Sequence, residues 1–157
     1  ANPNRPAGSK LNCNTDIPDK IMENCIFCKI AKGEIPCAKV YEDEQVFAFL
    51  DVNPNTSGHT LVIPKRHFAD LFDIDPGVLQ KIVVVGKEIA AKMKKSLGAA
   101  GVHLSNNNGA DAGQMVMHFH LHVIPRYEND GLQMYGERTL PKPMPEELSK
   151  LARKIKI

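Results

Sequence analysis

The chain has 157 residues, of which 43% are hydrophobic and 24% are charged, and these values fit one globular domain. Its net charge of +2 gives no strong signal for nucleic-acid binding, so we expect no nucleic-acid partner. The sequence contains no run of about 18 apolar residues, so we expect no membrane span and no membrane partner. Four cysteines are too few for a disulfide scaffold in a chain of this length. With no apolar signal peptide at the start, the sequence predicts a cytoplasmic protein with reduced thiols.

The predicted elements begin after a polar segment that is rich in Asn and Pro. We interpret residues 1–20 as a flexible N-terminal tail and residues 21–157 as one domain, with a C-terminal extension from about residue 127. A short helix is predicted from Cys25 to near Gly33. Strands are predicted at residues 40–41 and Val46–Leu50, joined by an acidic turn, and at residues 59–64, ended by Pro64.

A long helix is the clearest element of the sequence. Asp75 suits its N-cap, Pro76 its first turn, and Gly98 its C-terminal stop. Beyond it we predict a strand at residues 102–106, a Gly-containing loop, a strand at residues 116–124 and a basic helix at about residues 146–154. One long helix, short helices and about five strands joined by short turns predict an α+β fold with an antiparallel sheet.

Three of the six histidines alternate with apolar residues at His118, His120 and His122. On a strand these histidines share one face, and Phe119, Leu121 and Val123 share the other, which we expect to be buried. Three hypotheses are compatible with the pattern: a catalytic zinc held by three imidazoles, a nucleophilic histidine with supporting histidines, or a polar sheet face without a catalytic role.

The loop before these histidines favours a phosphate ligand. It contains Asn107, Gly109, Gly113 and Gln114, and successive exposed backbone N–H groups in such a loop bind anions. A neutral imidazole can attack phosphorus with one nitrogen while a carbonyl holds the N–H of the other.

The pattern Gly113-Gln114-x-Val116-x-His118-x-His120-x-His122, preceded by Asn107 and by SGHTLVIPKRH, resembles the histidine triad (HIT) family. The likeness covers about residues 25–126. The ending IPRY and the CIFC segment are more similar to the prokaryote-type HIT hydrolases than to short Hint proteins. The resemblance implies the HIT fold, nucleotide hydrolysis or transfer, and a homodimer in which strands of two subunits share one sheet.

The resemblance also assigns roles to individual residues. His120 is the implied nucleophile, and His122 and His59 contact the phosphate or tune the nucleophile. Asn107, Gly113 and Gln114 are implied at the phosphate and ribose, and Asp51 at the ribose hydroxyls. An apolar pocket around the base is implied for Ile26, Phe27, Ile30, Phe49 and Val52. The alternatives are ordinary core for all five of these apolar residues, Ile30 and Val52 above all, turn capping for Asp51 and Asn107, and a solvated His59.

Cys25 and Cys28 have the spacing of a metal-binding CxxC, which alone is half of a zinc site. A thioredoxin-like role requires a preceding strand, and the polar segment before Cys25 does not supply one. Similarity to zinc-containing HIT proteins implies a structural zinc on Cys25, Cys28, His67 and His118. Such a closed site is not catalytic. The alternative is two free thiols and an exposed His67.

The sequence therefore predicts a hydrolase of purine nucleoside 5′-monophosphate conjugates of the AMP-amine phosphoramidate type, acting through a nucleotidyl-histidine. Three alternatives remain: a dinucleoside polyphosphate hydrolase, with Arg126 and the C-terminal segment serving a second nucleotide; a nucleotide-binding regulatory module; and a metallohydrolase that uses all three histidines. Met115 stands where many Hint-like proteins have Ser or Thr, which weakens the expectation of phosphoramidate preference.

Overall fold

The computed structural model describes residues 24–133 and 144–155. Within these residues the α-helices are α1 (Ile26–Ala31), α2 (Pro76–Leu97) and α3 (Pro145–Ile155), and a short 3-10 helix spans Ala110–Ala112. The strands are β1 (Lys39–Glu42), β2 (Val46–Leu50), β3 (Thr60–Pro64), β4 (Gly101–Ser105) and β5 (Leu121–Arg126). The predicted tail at residues 1–20 lies outside the described residues, as does part of the predicted C-terminal extension, residues 134–143. The basic C-terminal helix is confirmed as α3.

The five strands form one antiparallel sheet in the order β1-β2-β3-β5-β4. The α+β prediction with about five antiparallel strands is therefore confirmed. Strand β5, which carries His122, lies between β3 and β4, and its register pairs His122 with Leu61 on one side and Ser105 on the other. Paired residues of antiparallel strands point to the same face of the sheet, so His122, Leu61 and Ser105 share one face.

The long helix α2 covers the opposite face of the sheet. Its predicted caps are confirmed: the Asp75 side chain accepts hydrogen bonds from the backbone N–H groups of Gly77 and Val78, and Gly98 adopts a left-handed conformation. The buried residues of α2 pack against the inward side chains of the sheet in the main core, which also contains Phe119, Leu121 and Val123. The predicted burial of these three residues is thus confirmed.

Helix α1 covers part of the face that carries His122. Its Phe27 and Ile30 join Phe47, Phe49, Leu61 and Ile63 in a second core cluster. Because these strand residues belong to β2 and β3, α1 leaves the β5–β4 side of the same face open. Since α2 packs on one face of β2 and β3 and α1 packs on the other, these two strands are buried on both faces.

The predicted strand at residues 116–124 is wrong in its first half, because β5 begins at Leu121. Pairing with β3 ends at Val62 opposite Leu121, and the backbone N–H of Phe119 instead donates to the carbonyl of Phe68. The N–H of His118 turns back to the carbonyl of Val116. His118 and His120 therefore precede the strand, and both are buried instead of lining a simple solvent-facing row.

None of the helices in the described segments has the length and apolar character that a membrane span requires.

Candidate functional site

His120 is held by two backbone contacts immediately before β5. Its Nδ1 lies 2.7 Å from the carbonyl oxygen of His118, and its own carbonyl accepts a 2.9 Å hydrogen bond from the Asn106 amide. A carbonyl oxygen can only accept, so the proton of the neutral ring is on Nδ1. The lone pair on Nε2 is then available to attack an electrophile.

The surroundings of His120 keep its ring neutral. The residue is 5% exposed, and the ring of Phe27 packs edge-on with 5.3 Å between ring centroids. Burial lowers the pKa of His120 below that of an ordinary histidine, and the electrostatic influence of the neighbouring His118 side chain acts in the same direction. The hydrogen bond to the His118 carbonyl opposes these effects but does not cancel them.

A chain of hydrogen bonds fixes the orientation of His122. The backbone N–H of Asn55 donates to Nδ1 of His59 at 3.1 Å, so this nitrogen is an acceptor. The proton of His59 is then on Nε2, which lies 3.0 Å from Nδ1 of His122. His122 consequently carries its own proton on Nε2, the nitrogen that has no partner among the described residues.

Burial and the neighbouring His120 and His59 lower the pKa of His122 to about 4. Asp51 opposes this shift with its carboxylate, which lies 3.6 Å from Nδ1 of His59. That distance is too long for a hydrogen bond. His59 is 2% exposed, which excludes the alternative of a solvated histidine. The structure therefore brings Asp51, His59, His120 and His122 together.

Several amides of the predicted phosphate loop form hydrogen bonds within the protein. The N–H groups of Gly113 and Gln114 donate to the carbonyls of Ala110 and Gly109. The side-chain amide of Gln114 donates to the carbonyls of Ala69 and Val116, and its oxygen accepts from the N–H of Gly109. Phosphate binding by Gly113 and Gln114 stays a prediction, and in this structure both residues stabilise the loop. Asn107 donates to the carbonyl of Gly113 at 3.3 Å and lines a cavity together with His122.

The five residues predicted around the base divide into two groups. Phe27, Ile30 and Phe49 are buried in the second core cluster. Ile26 is 47% exposed and Val52 is 87% exposed, so core packing does not account for these two side chains. Binding of a base by this set stays a prediction.

The four predicted metal ligands converge at one point. Their ligating atoms all lie within 4.8 Å of one another, although Cys28 and His118 are 90 positions apart in sequence. The Sγ atoms of Cys25 and Cys28 are 3.4 and 3.5 Å from Nδ1 of His118, and Nδ1 of His67 is 3.4 Å from Sγ of Cys28. In a tetrahedral zinc site neighbouring sulfur and nitrogen ligands are about 3.6 Å apart.

The protonation of this cluster also fits a cation. Nε2 of His118 donates to the carbonyl of Pro64 at 2.9 Å, which leaves the Nδ1 lone pair directed at the two sulfurs. Burial disfavours ionisation of Cys25, but its contacts with the side chains of His118 and His67 outweigh this effect and lower its pKa to about 5. Burial and the negative charge of Cys25 raise the pKa of Cys28 to about 12. A divalent cation between the sulfurs would remove this repulsion.

This cluster separates His118 from the other two triad histidines. His118 and His67 are 0% and 4% exposed, so the alternative of an exposed His67 is excluded. Within the described residues the three triad histidines do not form one group of potential metal ligands. Asp51, His59 and His122 do form such a group, but both nitrogens of His59 are already hydrogen-bonded. The geometry does not favour the hypothesis of a metallohydrolase that uses the whole triad.

Sequence reasoning missed several residues that hold the site together. Asn106 supports the backbone of His120, and Asn108 supports Asn106 through a 2.6 Å hydrogen bond. Their position beside Asn107 in an NNN run was the available signal.

Comparison with known proteins agrees with this geometry. Residues 32–129 match the HIT domain. Protein hit of Bacillus subtilis is 42% identical over 134 residues, which cover 85% of this chain and 92% of that protein. An Arabidopsis thaliana protein named adenylylsulfatase HINT3 is 42% identical over 112 residues, 71% of this chain and 57% of that protein.

Solved structures agree as well. A crystal structure of a HIT family protein from Bacillus anthracis matches with a TM-score of 0.77 and 49% identity, covering 85% of this chain and 95% of that chain. A zinc-bound histidine triad family protein from Mycobacterium smegmatis matches with a TM-score of 0.69 and 40% identity, covering 85% of this chain and 93% of that chain.

Proposed function

The chain belongs to the histidine triad (HIT) family, and from this premise we propose that it hydrolyses purine nucleoside 5′-monophosphate conjugates of the phosphoramidate type. The observation that carries the proposal is the orientation of His120, whose Nδ1 proton is bound to the His118 carbonyl and whose Nε2 is free. The name of the Arabidopsis relative, an adenylylsulfatase, supports cleavage at the phosphorus of an adenylyl group.

The proposed reaction has two displacement steps at the α-phosphorus. In the first, the Nε2 lone pair of His120 forms a P–N bond while the bond to the leaving group breaks. The leaving group departs with the bonding electrons, and an amine takes up a proton from solvent, while the Nε2–H of His122 donates a hydrogen bond to a phosphate oxygen. In the second, water attacks phosphorus and releases a proton to solvent, and the P–N bond breaks with its electrons returning to Nε2 of His120. The sum is conjugate plus water giving nucleoside monophosphate plus the free leaving group.

An acid-quench experiment with radiolabelled AMP-lysine tests this mechanism. We expect label on His120 in the wild type, and a loss of turnover of at least about a thousandfold in His120→Ala, because no other residue replaces the nucleophile. A His120→Asn variant controls for the shape of the side chain. Label on another residue, or turnover that survives in His120→Ala, would remove the covalent mechanism. Absence of turnover in the wild type would favour a regulatory nucleotide-binding module.

We also propose that Cys25, Cys28, His67 and His118 hold a structural zinc ion. Two thiolates and two imidazoles are a common ligand set for this metal. With four protein ligands the ion has no open position for substrate, so its contribution is to stability. The zinc-bound relative from Mycobacterium smegmatis supports the assignment.

A homodimer is the proposed assembly. Strand β4 is at one edge of the sheet, and a second copy of β4 can continue the antiparallel pairing there. Sedimentation equilibrium should give about twice the chain mass of 17.3 kDa. A cytoplasmic location and a purine preference stay predictions.

A further inference from the structure

The backbone of His120 lies just beyond the paired part of its strand. Pairing with β3 ends at Leu121 and pairing with β4 ends at His122, so within the described sheet His120 has no partner residue. Its carbonyl accepts instead from the side-chain amide of Asn106 at 2.9 Å. A side chain therefore takes the place of a neighbouring strand at the residue that we assign as the nucleophile.

The Asn106 amide belongs to a chain of hydrogen bonds that begins in the loop after β3. The backbone N–H of Leu71 donates to Oδ1 of Asn108 at 2.8 Å. Nδ2 of Asn108 donates to Oδ1 of Asn106 at 2.6 Å, and Nδ2 of Asn106 donates to the His120 carbonyl. We call the two side chains of Asn106 and Asn108 the amide relay.

The two ends of the amide relay fix the orientation of both side chains. A backbone N–H can only donate, and a carbonyl oxygen can only accept. Asn108 must therefore present its oxygen to Leu71 and its NH₂ group to Asn106, and Asn106 must present its NH₂ group to His120. Reversal of either amide would place two donors or two acceptors face to face. The amide relay is consistent in one direction, from the loop to the nucleophile.

The same loop supports the segment before β5 at two further points. The carbonyl of Phe68 accepts from the N–H of Phe119 at 2.6 Å, and the carbonyl of Ala69 accepts from the side-chain amide of Gln114 at 2.6 Å. These bonds reach residues on the N-terminal side of His120. The bond from the amide relay is the one that reaches the carbonyl of His120 itself.

The position of the His120 ring depends on this backbone support. Nδ1 of the ring is bound to the carbonyl of His118, so the ring is fixed to its own short segment and moves with it. Loss of the bond from Asn106 would leave that segment held at its N-terminal side alone. A nucleophile that is displaced by about 1 Å can react about a hundredfold more slowly.

We propose that Asn106 and Asn108 are positioning residues for the nucleophile, and that Asn108 acts through Asn106. This inference rests on the proposed function, because it takes His120 as the nucleophile. Both amides are engaged within the relay, and they act on the backbone of His120. Their contribution is therefore to the rate of P–N bond formation and not to the affinity for the nucleotide.

The kinetic test places an isosteric carboxylate at Asn108. In Asn108→Asp the new side chain accepts from Leu71 but has no N–H for Asn106, whose amide then turns its oxygen toward the His120 carbonyl. We expect single-turnover transfer of AMP from AMP-lysine to His120 to slow about tenfold at about pH 8, with AMP affinity unchanged. The pKa of His120 is below 6.5, so the ring is neutral and the added charge does not act through its protonation. Asn129→Asp adds the same charge at an exposed position and should leave the rate unchanged.

A double-variant cycle tests whether Asn108 acts through Asn106. Asn106→Ala removes the donor to the His120 carbonyl and should slow transfer about tenfold. Addition of Asn108→Asp to this variant should slow transfer no further, because the side chain that conveys its effect is gone. Independent effects would multiply to about a hundredfold, and that result overturns the proposal. Unchanged transfer in both single variants, or weaker AMP binding alone, also overturns it.

A spectroscopic readout separates the amide relay from the proposed function. The proton on Nδ1 of His120, held 2.7 Å from the His118 carbonyl, gives an NMR signal that needs no substrate. We expect this signal to shift in Asn106→Ala and in Asn108→Asp, and to stay in place in Asn129→Asp. If the signal shifts as expected but the wild type transfers no AMP, the relay stands and the proposed function fails. A signal that stays in place in both relay variants overturns the relay, whether or not the wild type is active.

Discussion

The two nitrogens of each imidazole have different partners, and this decides what each histidine of the triad does. Sequence and family resemblance together predict that His118 belongs with the cysteines and that His120 is the nucleophile. They do not predict which nitrogen is protonated, because the deciding partners are the backbone carbonyls of Pro64 and His118 and the backbone N–H of Asn55. All residues have a backbone carbonyl and all except proline have a backbone N–H, so the side-chain sequence does not reveal which of these groups serve as partners.

The pH dependence of activity is the first prediction at this scale. The nucleophile must be neutral, and burial lowers the pKa of His120, so its neutral form persists to lower pH than in an exposed histidine. We expect the acid limb of kcat/KM to lie below pH 6.5, the ordinary value for histidine. A limb at or above that value would contradict the assignment of His120 as a buried nucleophile.

A variant pair tests the cause of this shift. Phe27→Leu leaves the His120 ring less covered, which should raise its pKa and move the acid limb toward higher pH. Phe72→Leu is the matched control, because Phe72 is 87% exposed, and its limb should not move.

At the level of secondary structure, the two ends of helix α2 were easier to predict than the start of strand β5. Asp75-Pro76 and Gly98 carry local signals, and both ends of α2 are confirmed. The start of β5 depends instead on where its neighbour can pair. Alternation of apolar residues continues through Phe119, so sequence predicts a strand there, although pairing with β3 has already ended. Non-local pairing of this kind has no signal in a local window.

Removal of the α2 N-cap is the prediction at this scale. Asp75→Ala leaves the N–H groups of Gly77 and Val78 without their acceptor and should lower the free energy of unfolding by about 1 kcal/mol. Asp75→Asn keeps an acceptor and should lose less. Urea denaturation measures both, with Asp111→Ala in the loop after β4 as a control for loss of one aspartate. Equal stability of Asp75→Ala and wild type would show that the cap contributes nothing.

Across the whole molecule, the cysteine–histidine cluster joins segments that are distant in sequence. Cys28 is on α1, His67 follows β3, and His118 precedes β5. The backbone carbonyl of His118 also orients His120, so one residue belongs to both the cluster and the nucleophile's support. Resemblance could predict the membership of this cluster, but not its coupling to His120, which depends on the chain turning at residues 116–119.

Loss of the proposed zinc tests whether these residues form one metal site that stabilises the fold. Cys28 is 4% exposed, and Cys28→Ala should abolish the one bound zinc per chain and lower the melting temperature by about 10 °C, because metal binding contributes to folding free energy. Chelation of the wild type should give a similar shift. Cys37→Ala removes a cysteine outside the cluster and should keep one zinc per chain. Full zinc content in Cys28→Ala would contradict the ligand set.

Separation of metal content from turnover distinguishes a structural zinc from a catalytic one. In our assignment His120 is not a ligand, so His120→Ala should retain one zinc per chain and the wild-type melting temperature within about 3 °C while losing turnover. A metallohydrolase that used the whole triad would instead lose metal and activity together in this variant. Zinc content by atomic emission, measured on the same preparation as the kinetics, decides between the two, and loss of zinc in His120→Ala would refute the structural assignment.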